Sequence, residues 1–528
     1  MMFDVIIAGG DIVDGSNKPA FKSDVGIKGD RIITIGDLAD AEAEEKIGAA
    51  GLTVAPGFID IHTHSDFTLL INGAAESQVH QGVTLEVIGQ CGTSCAPLGN
   101  SEPAKPSVPG YQSGLDITWK TFGEYLGRLE QQELGLNVIA LVGHGTIRRA
   151  VLNDELRPVT EDEINEMMCI LESSLEEGAK GLSSGLEYWP GSVSNPEEIL
   201  PLCEVTKRHN GLYATHVRNR DLAYDLGFSE ALAMARISGV KLQISHIQPK
   251  FGAPPHAMEH TLKMIHWARE AGADVAFDVI PHDWNHTSLT ASLPSWAFDG
   301  GLDKLGARLR NPDNREKMKH NPKPIWQLVT ARKWDKIVLL RSKKNKDLIG
   351  MTFEQIGKER RKDPYDAYFD LLLEEGDDLN SLMWTSHAFS EADIHLCLQQ
   401  PECIVASDTM ALAPYGALKD TIGSLSGYSW IARLFQHYVR EQSIISLEDA
   451  VHRVTGLPAE RLGLKDRGYV RPGGIADITI FDPKTITDRS TIRNPCCYPT
   501  GIAHVLVNGD FAIKNAARKN INAGRVIR

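Results

Sequence analysis

Short apolar runs alternate with longer amphipathic helical patterns through the middle of the chain. This alternation is typical of a parallel βα array, in which each strand is followed by a helix that packs back on the sheet. The predicted strands are Val54–His62, Val83–Gly89, Asn137–Gly143, Gly181–Leu186, Gly211–His216, Val240–His246, Asp274–Ile280 and Cys403–Asp408. Eight such units are the number that a closed (β/α)8 barrel requires.

The two ends of the chain show a different pattern, in which short alternating runs are broken by Gly and Asp. Examples are Phe3–Ala8 and Arg31–Ile35 near the start, and Gly473–Phe481 and Ile502–Asn508 near the end. Alternation with a period of two is typical of short antiparallel strands. We therefore predict that residues 1–55 and 468–528 form one small β-sandwich, and that residues 56–467 form the barrel domain.

One connection in the middle of the chain is too long for an ordinary βα loop. Residues 281–402 separate the seventh predicted strand from the eighth, whereas such loops usually span about 2–6 residues. Lys-, Arg- and Trp-rich helical patterns over residues 285–360 indicate an ordered insertion, because disordered segments are poor in aromatic residues. We predict that this insertion lies over the mouth of the barrel as a lid.

Composition limits the possible partners and the compartment. The 528-residue chain has a net charge of −14 at pH 7, which argues against a nucleic-acid or membrane-surface partner. Neither a signal peptide nor an apolar run long enough to span a membrane is visible. The eight cysteines are scattered, as in proteins with reduced thiols. We expect a cytoplasmic protein that acts on a small molecule, with homo-oligomerisation left open.

The most informative local motif is APGFIDIHTHSD, from Ala55 to Asp66. An apolar strand ends there in His62-Thr63-His64, and residues two apart on an extended chain point to the same side. Both imidazoles can therefore bind one metal ion. An HxH sequence alone is common, but its place at the carboxyl end of the first predicted barrel strand favours a metal site.

Other side chains with metal-ligating or acid–base chemistry follow the ends of other predicted strands. They are Cys91, His144, His216, His246 and Asp408. In barrel enzymes the catalytic groups come from these carboxyl ends, where the βα loops converge. A single buried histidine is more often structural, but the recurrence at so many strand ends predicts a metal-dependent active site.

Seven stretches of the sequence together resemble one family. They are PGFIDIHTHSD, GVTLEVIGQCGTSCAPL, LVGHGTIR, GAKGLSSGLEYWPG, ATHVRNR, LQISH and VASDT, in this order across residues 55–410. In them the chain resembles the N-acyl-D-amino-acid deacylase (D-aminoacylase) branch of the amidohydrolase superfamily. The resemblance implies an enzyme that uses zinc to hydrolyse the linear amide bond of an N-acylated small molecule.

The same resemblance implies a role for each matching position. It implies that Cys91, His216 and His246 hold a tight zinc ion, with Cys91 able to bridge to a second metal, and that His62 and His64 line that second, weaker site. It also implies that Asp408 is the catalytic carboxylate, which accepts a proton from water and passes it to the leaving nitrogen. His144 is a candidate donor to the substrate carbonyl.

The positions that bind the substrate α-carboxylate in this family differ here. Gln248 stands where the family has a lysine, Ile280 stands where it has a tyrosine, and the Pro-Arg segment beyond Asp408 is missing. Lys250 is a candidate replacement, as are Arg218, Arg220 and Lys419. Alternatively, the substrate is a neutral N-acyl amide or arylamide without a carboxylate. The candidate pocket residues are then His282, Asp283, Trp284, His286 and His387.

Two further alternatives remain at this point. A hydantoinase-type cyclic amidase would need a carbamylated lysine that bridges two metals, and Lys180 beside the fourth predicted strand is the nearest candidate. A non-enzymatic assembly module would need no metal ligands. Cys95, four residues after Cys91, is a weaker candidate ligand and is expected to be a packed loop thiol.

Overall fold

A ring of parallel strands forms the centre of the structure, a computed structural model that describes residues 2–98, 108, 114–320, 327–376, 379, 382–419, 421, 424–519 and 522–528. Within these residues the barrel strands, numbered first to eighth in chain order, are Phe58–Asp60, Val83–Ile88, Asn137–Ala140 continuing as Val142–Gly143, Gly181–Gly185, Leu212–His216, Lys241–Ile244, Val275–Val279 and Cys403–Val405. Each strand pairs in parallel with the next.

The ring closes between its last and first strands. The Asp408 amide donates to the His62 carbonyl at 3.1 Å, and Thr63 and Thr409 form a parallel bridge. The interior of the ring is filled by apolar side chains from alternate strand positions, among them Ile59, Leu85, Ile139, Ala214 and Ile404. The barrel is therefore a packed core, and chemistry must take place at its ends.

Helices surround the barrel and cover the outer face of its strands. They are Thr68–Ile71, Glu76–Val79, Phe122–Glu130, His144–Leu152, Glu161–Glu176, Pro196–Arg208, Tyr224–Ser238, Ala257–Glu270, Glu391–Leu398, Trp430–Arg433, the π-helix Leu434–Glu441, Leu447–Arg453 and Gly456–Leu462. Capping residues fix where several of them begin. Thr160 and Glu163 form a capping box, and Asn195 caps a helix that has Pro196 in its first turn. Among the described helices, none is long and apolar enough to cross a membrane.

The two chain ends form one sheet beside the barrel. In the described part of the chain it has nine strands: Phe3–Ile12, Phe21–Lys28, Arg31–Gly36, Ala43–Gly48, Thr53–Pro56, Ile478–Phe481, Ile502–Val507, Asp510–Lys514 and Ala517–Arg518. Side chains from both ends, such as Ile7, Val25, Ile478 and Leu506, share one hydrophobic core. The sheet therefore folds around a common interior, as a sandwich does.

The first predicted strand, Val54–His62, is divided between the two domains. Thr53–Pro56 pairs with Ile478–Phe481 in the terminal sheet, and Phe58–Asp60 belongs to the barrel. Gly57 lies at the division, where its amide donates to the Asp477 carbonyl at 2.8 Å. A Cβ at this position would overlap the Thr84 side chain, so only glycine allows the strand to pass from one sheet to the other here.

The insertion after the seventh barrel strand is a small α/β unit with its own core. Its strands Trp284–Ser288, Met383–His387 and Val338–Arg341 form an antiparallel sheet in that order. Its helices are Leu302–Arg310, Pro312–His320, Gln327–Thr330, Phe353–Arg360 and Pro364–Glu375. It extends beyond the predicted residues 285–360, because its first and last strands pair with each other and close the unit.

The insertion rests on the carboxyl end of the barrel. The Trp189 ring, in the loop after the fourth barrel strand, stacks on Phe298 of the insertion with 6.5 Å between ring centroids. The Ser192 and Ser295 hydroxyls are hydrogen bonded at 3.1 Å. These contacts place the insertion beside the loops in which the predicted site residues lie.

Candidate metal and active site

Three ligand-type side chains meet at the carboxyl ends of the second, fifth and sixth barrel strands. Cys91 Sγ lies 3.7 Å from His216 Nδ1 and 3.5 Å from His246 Nε2. A tetrahedral zinc ion with Zn–S of about 2.3 Å and Zn–N of about 2.0–2.1 Å requires an S–N separation of about 3.6 Å. All three side chains are buried. The donor set and its spacing therefore fit one zinc ion.

A second possible metal position shares the same thiol. His62 Nε2 lies 3.4 Å from Cys91 Sγ and 3.5 Å from Asp408 Oδ1. His64 Nε2 lies 3.1 Å from the same Asp408 oxygen. Cys91 therefore belongs to both groups of potential ligands, one with His216 and His246 and the other with His62 and His64.

Three residues of the site have left-handed backbone conformations. The φ angles are 51° for Cys91, 33° for His246 and 50° for Asp408. Such angles are unfavourable for residues with a Cβ and cluster at functional sites. Close packing also fixes the Cys91 turn, since a Cβ at Gly185 would overlap the Cys91 carbonyl. The strand ends therefore turn sharply where they present these side chains.

Neighbouring histidines lower the pKa values of two buried acidic groups of the site, the Cys91 thiol and the Asp408 carboxyl. Burial alone would raise the pKa of the Cys91 thiol, but the charges of His62 and His246 hold it well below its usual value. Burial alone would likewise raise the pKa of Asp408, but its hydrogen bond with His64 and the nearby imidazoles hold it well below the usual range. A thiolate and an ionised carboxylate are the forms needed for metal binding and proton acceptance.

Two buried carboxylates orient the ligands from outside. Asp278 accepts the His246 amide at 2.7 Å and lies 3.4 Å from His62 Nδ1. Glu187 Oε2 lies 2.7 Å from His216 Nε2. Outer carboxylates of this kind fix the orientation and tautomer of ligating histidines.

The open side of the site faces the insertion. The His64 and Asp408 side chains are 27% and 15% exposed, whereas His216 and His246 are at most 1% exposed. His286 of the insertion lies beside the Asp408 backbone, and burial lowers its pKa. Substrate would therefore approach from the side of Asp408, beneath the insertion.

The residues predicted to contact substrate are placed in different surroundings. His144 is buried with Nε2 2.8 Å from Glu198 Oε1, so this nitrogen bonds a helix carboxylate. Gln248 Nε2 donates to the Ile280 carbonyl at 2.7 Å. Lys250 Nζ donates to both Glu187 oxygens at 2.8 Å. The structure thus gives each of these three side chains a protein partner.

The predicted residues after the seventh strand form a group at the base of the insertion. His282 is buried and lies 3.3 Å from the Ser429 hydroxyl, and burial together with Arg433 lowers its pKa to about 3. The Trp284 and His387 rings face each other across the sheet with centroids 3.4 Å apart. Asp283 Oδ2 lies 3.1 Å from His387 Nδ1.

Two of the three remaining candidate cations have protein partners. Arg218 binds both Glu230 oxygens at 2.8 Å. Arg220 is 4% exposed and donates to the His246 carbonyl. Lys419 is exposed. Cys95 is buried, and burial raises its pKa well above the usual value for a thiol.

Three residues of the site are not among the candidates from the sequence: Tyr188, Glu187 and Asp278. The Tyr188 ring packs on His216 with 4.6 Å between centroids, and burial and the charges of Cys91 and Glu187 raise its pKa. Glu187 and Asp278 support the ligands as described. Two signals in the sequence could have identified them. Glu187 and Tyr188 lie in the GLEYWPG stretch, and Asp278 is the single acid within the apolar run VAFDV of the seventh strand.

Comparisons with known proteins agree with this geometry. The chain matches the Amidohydrolase family over residues 45–239 and 393–513, and the unmatched part contains the insertion. It is 32% identical to the D-aminoacylase of Alcaligenes xylosoxydans xylosoxydans over 99% of this chain and 97% of that protein.

Two solved structures superpose along the whole chain. One is a D-aminoacylase studied for the role of its binuclear metal center, with 30% identity and a TM-score of 0.82 over 100% of both chains. The other is the N-acyl-D-glutamate deacylase from Bordetella bronchiseptica, in complex with zinc and a phosphonate inhibitor, with 29% identity and a TM-score of 0.84 over 100% of both chains. The predicted fold and family are confirmed: this chain belongs to the amidohydrolase family.

Proposed function

We propose that this protein is a zinc-dependent hydrolase of the amide bond in N-acyl-D-amino acids. The observation that carries the proposal is the Cys91, His216 and His246 cluster, whose S–N separations of 3.7 and 3.5 Å fit zinc, next to the ionised Asp408. The similarity to a D-aminoacylase and to an N-acyl-D-glutamate deacylase bound to zinc supports the same metal and substrate class.

The metal would be held at the floor of the site. Cys91, His216 and His246 would bind it tightly, and His62 and His64 would form a second, weaker position with Cys91 shared. When bound, zinc supplies an electrophile for the amide carbonyl and brings the pKa of a water close to neutrality. The protein's own side chains then supply proton transfer and orientation.

Asp408 is the proposed proton carrier. Its pKa is held well below the usual range, so the carboxylate is ionised at neutral pH, and it lies at the open side of the site. It would accept the proton of the attacking water and deliver it to the leaving nitrogen, which must be protonated to depart as an amine. His64, 3.1 Å from Asp408 Oδ1, orients the carboxylate for both transfers.

Tyr188 is the proposed donor to the developing oxyanion. Its ring packs on His216 with 4.6 Å between centroids, which places the side chain beside the candidate metal ligands. Burial and the nearby charge of Cys91 raise its pKa, so the hydroxyl keeps its proton as a donor. A neutral donor placed before reaction stabilises negative charge as it forms on the carbonyl oxygen. The insertion above Asp408 would exclude bulk water during this step.

A second candidate substrate class is a neutral N-acyl amide or arylamide. The observation that favours it is that Lys250 and Arg218, both candidate carboxylate partners, are held by Glu187 and Glu230. A cyclic amidase that uses carbamylated Lys180 has less support. Lys180 precedes the fourth barrel strand, at the opposite end of the barrel from Cys91 and the other ligand-bearing strand ends.

A side-by-side hydrolysis panel tests the proposal. Zinc-loaded enzyme is assayed with N-acetyl-D-amino acids, the matching L-enantiomers and neutral arylamides, with amine release measured for each. The proposal predicts the highest kcat/KM for the D-enantiomers. A preference for the arylamides would support the second candidate, and no amine release from any substrate by zinc-loaded enzyme would contradict both.

A further inference from the structure

We propose that Lys250 is a positioning residue of the metal site. In this role Lys250 neutralises Glu187, and Glu187 in turn holds the His216 imidazole toward the metal. The three side chains come from successive strands, since Glu187 follows the fourth barrel strand, His216 ends the fifth and Lys250 follows the sixth. The inference rests on the proposed function only for the presence of zinc, and it gives Lys250 a role other than substrate binding.

The first link is the hydrogen bond between His216 and Glu187. His216 Nε2 lies 2.7 Å from Glu187 Oε2, while Nδ1 faces Cys91 Sγ. An ionised carboxylate can only accept, so the imidazole carries its proton on Nε2 and keeps the Nδ1 lone pair for the metal. The rings of Tyr188 and His246, with centroids 4.6 and 4.5 Å away, prevent the ring from turning.

The second link is the ion pair between Glu187 and Lys250. Lys250 Nζ donates to both Glu187 oxygens at 2.8 Å, and the Arg220 amide donates to Oε1 at 3.2 Å. Glu187 is 0% exposed and Lys250 is 4% exposed. A buried carboxylate without its counter-charge is strongly unfavourable. Lys250 is therefore the directly bonded counter-charge that holds the Glu187 carboxylate against His216.

The third link ties Lys250 to the metal-bearing loops. The Lys250 amide donates to the Arg220 carbonyl at 2.7 Å, and the Arg220 guanidinium donates to the carbonyl of His246. Lys250 is thus fixed against the loops that follow two ligand-bearing strands. A substrate carboxylate would have to compete with Glu187 for the Lys250 ammonium, which is why we assign Lys250 to the metal site.

Zinc affinity measured by competition with a chromophoric chelator tests this inference without any substrate. Lys250→Met removes the counter-charge, and Glu187→Gln keeps an oxygen acceptor but removes the charge. We expect each variant to raise the zinc Kd by about 10–100-fold, as changes around metal ligands usually do. Both substitutions act through His216. The zinc Kd of the double variant should therefore lie within about threefold of the Kd of either single variant, and the two fold-increases should not multiply.

Two controls separate positioning from general destabilisation. Lys319→Met breaks a Lys–carboxylate pair of the insertion, 2.8 Å from Asp366, and should leave the zinc Kd unchanged. Lys250→Arg keeps the positive charge, so its zinc affinity should be higher than that of Lys250→Met. If Lys250→Met does not fold, Lys250→Arg is compared with Glu187→Gln instead.

The outcomes distinguish this inference from the proposed function. A folded Lys250→Met protein with a zinc Kd within about twofold of wild type would overturn the inference, above all if it raised KM for a carboxylate-bearing substrate. Failure of the wild-type protein itself to bind zinc would instead overturn the proposed function.

Discussion

The Asp408 amide donates to the His62 carbonyl at 3.1 Å, and this contact joins the last barrel strand to the first. In return, the His64 amide donates to the Thr409 carbonyl at 2.7 Å. This pairing brings the Asp408 carboxylate to 3.1 Å from His64 Nε2. The bonds that close the barrel therefore also assemble the proposed proton carrier with the HxH pair.

Replacement of that carboxylate should separate catalysis from metal binding. Asp408→Asn keeps the size of the side chain but cannot accept a proton, so we expect kcat to fall by about 10²–10⁴-fold with one tight zinc retained. Steady-state kinetics and metal analysis of the same preparation check this. Asp370→Asn, which changes a carboxylate paired with Arg315 in the insertion, is the matched control. Near-native kcat in Asp408→Asn would show that Asp408 is structural.

Removal of the shared thiol should abolish tight metal binding. Cys91→Ala deletes the sulfur ligand of the floor site, so the purified protein should lose its zinc and not regain it at equimolar metal. Metal analysis after dialysis measures this directly. Cys95→Ala, four residues away and outside the described ligand groups, should keep its zinc. If Cys91→Ala kept as much zinc as Cys95→Ala, Cys91 would not be a ligand.

The Tyr188 hydroxyl should contribute to the rate rather than to metal binding. Loss of one donor to an oxyanion typically lowers kcat by about 10²–10³-fold. We expect the decrease in kcat for Tyr188→Phe to lie at the lower end of that range. Its zinc Kd and melting temperature should stay close to wild type. Tyr368→Phe, in the insertion core, controls for loss of a buried hydroxyl. Unchanged kcat in Tyr188→Phe would exclude the assigned role.

Binding of a second metal should strengthen with pH. Although burial lowers it, the hydrogen bond with Asp408 raises the pKa of His64 to about 10, so this imidazole is protonated at neutral pH. A second zinc must displace that proton, and its affinity should rise by up to about tenfold per pH unit below the pKa for each proton displaced. Zinc titrations between about pH 7 and 9 measure this slope. Affinity for the second ion that is independent of pH would show that His64 is not protonated there.

Much of the barrel and the grouping of the candidate metal ligands could be predicted because their signals are local. An apolar strand that ends in His62-Thr63-His64 places two imidazoles on one side through backbone geometry alone. Repetition of the βα pattern indicates that candidate ligands such as His216 and His246 lie at one end of a closed ring. These relationships need no knowledge of long-range side-chain contacts.

Other features depend on contacts that no local pattern encodes. The break at Gly57 arises because Thr53–Pro56 pairs with a strand more than four hundred residues later. The limits of the insertion are set by pairing between Trp284–Ser288 and Met383–His387, which are separated by several helices. The sequence offers Lys250 as a candidate partner for an anion, and only the fold shows that its ammonium is paired with Glu187, which follows another barrel strand.

In the proposed mechanism, one zinc ion held by Cys91, His216 and His246 is sufficient for amide hydrolysis. The most direct test is to strip the enzyme of metal, add zinc back stepwise, and measure hydrolysis of an N-acetyl-D-amino acid at each step. We expect no hydrolysis without metal, and activity that recovers in proportion to added zinc until each chain holds one ion. Hydrolysis that persists in the stripped enzyme, or that never appears in the reloaded enzyme, would contradict this mechanism.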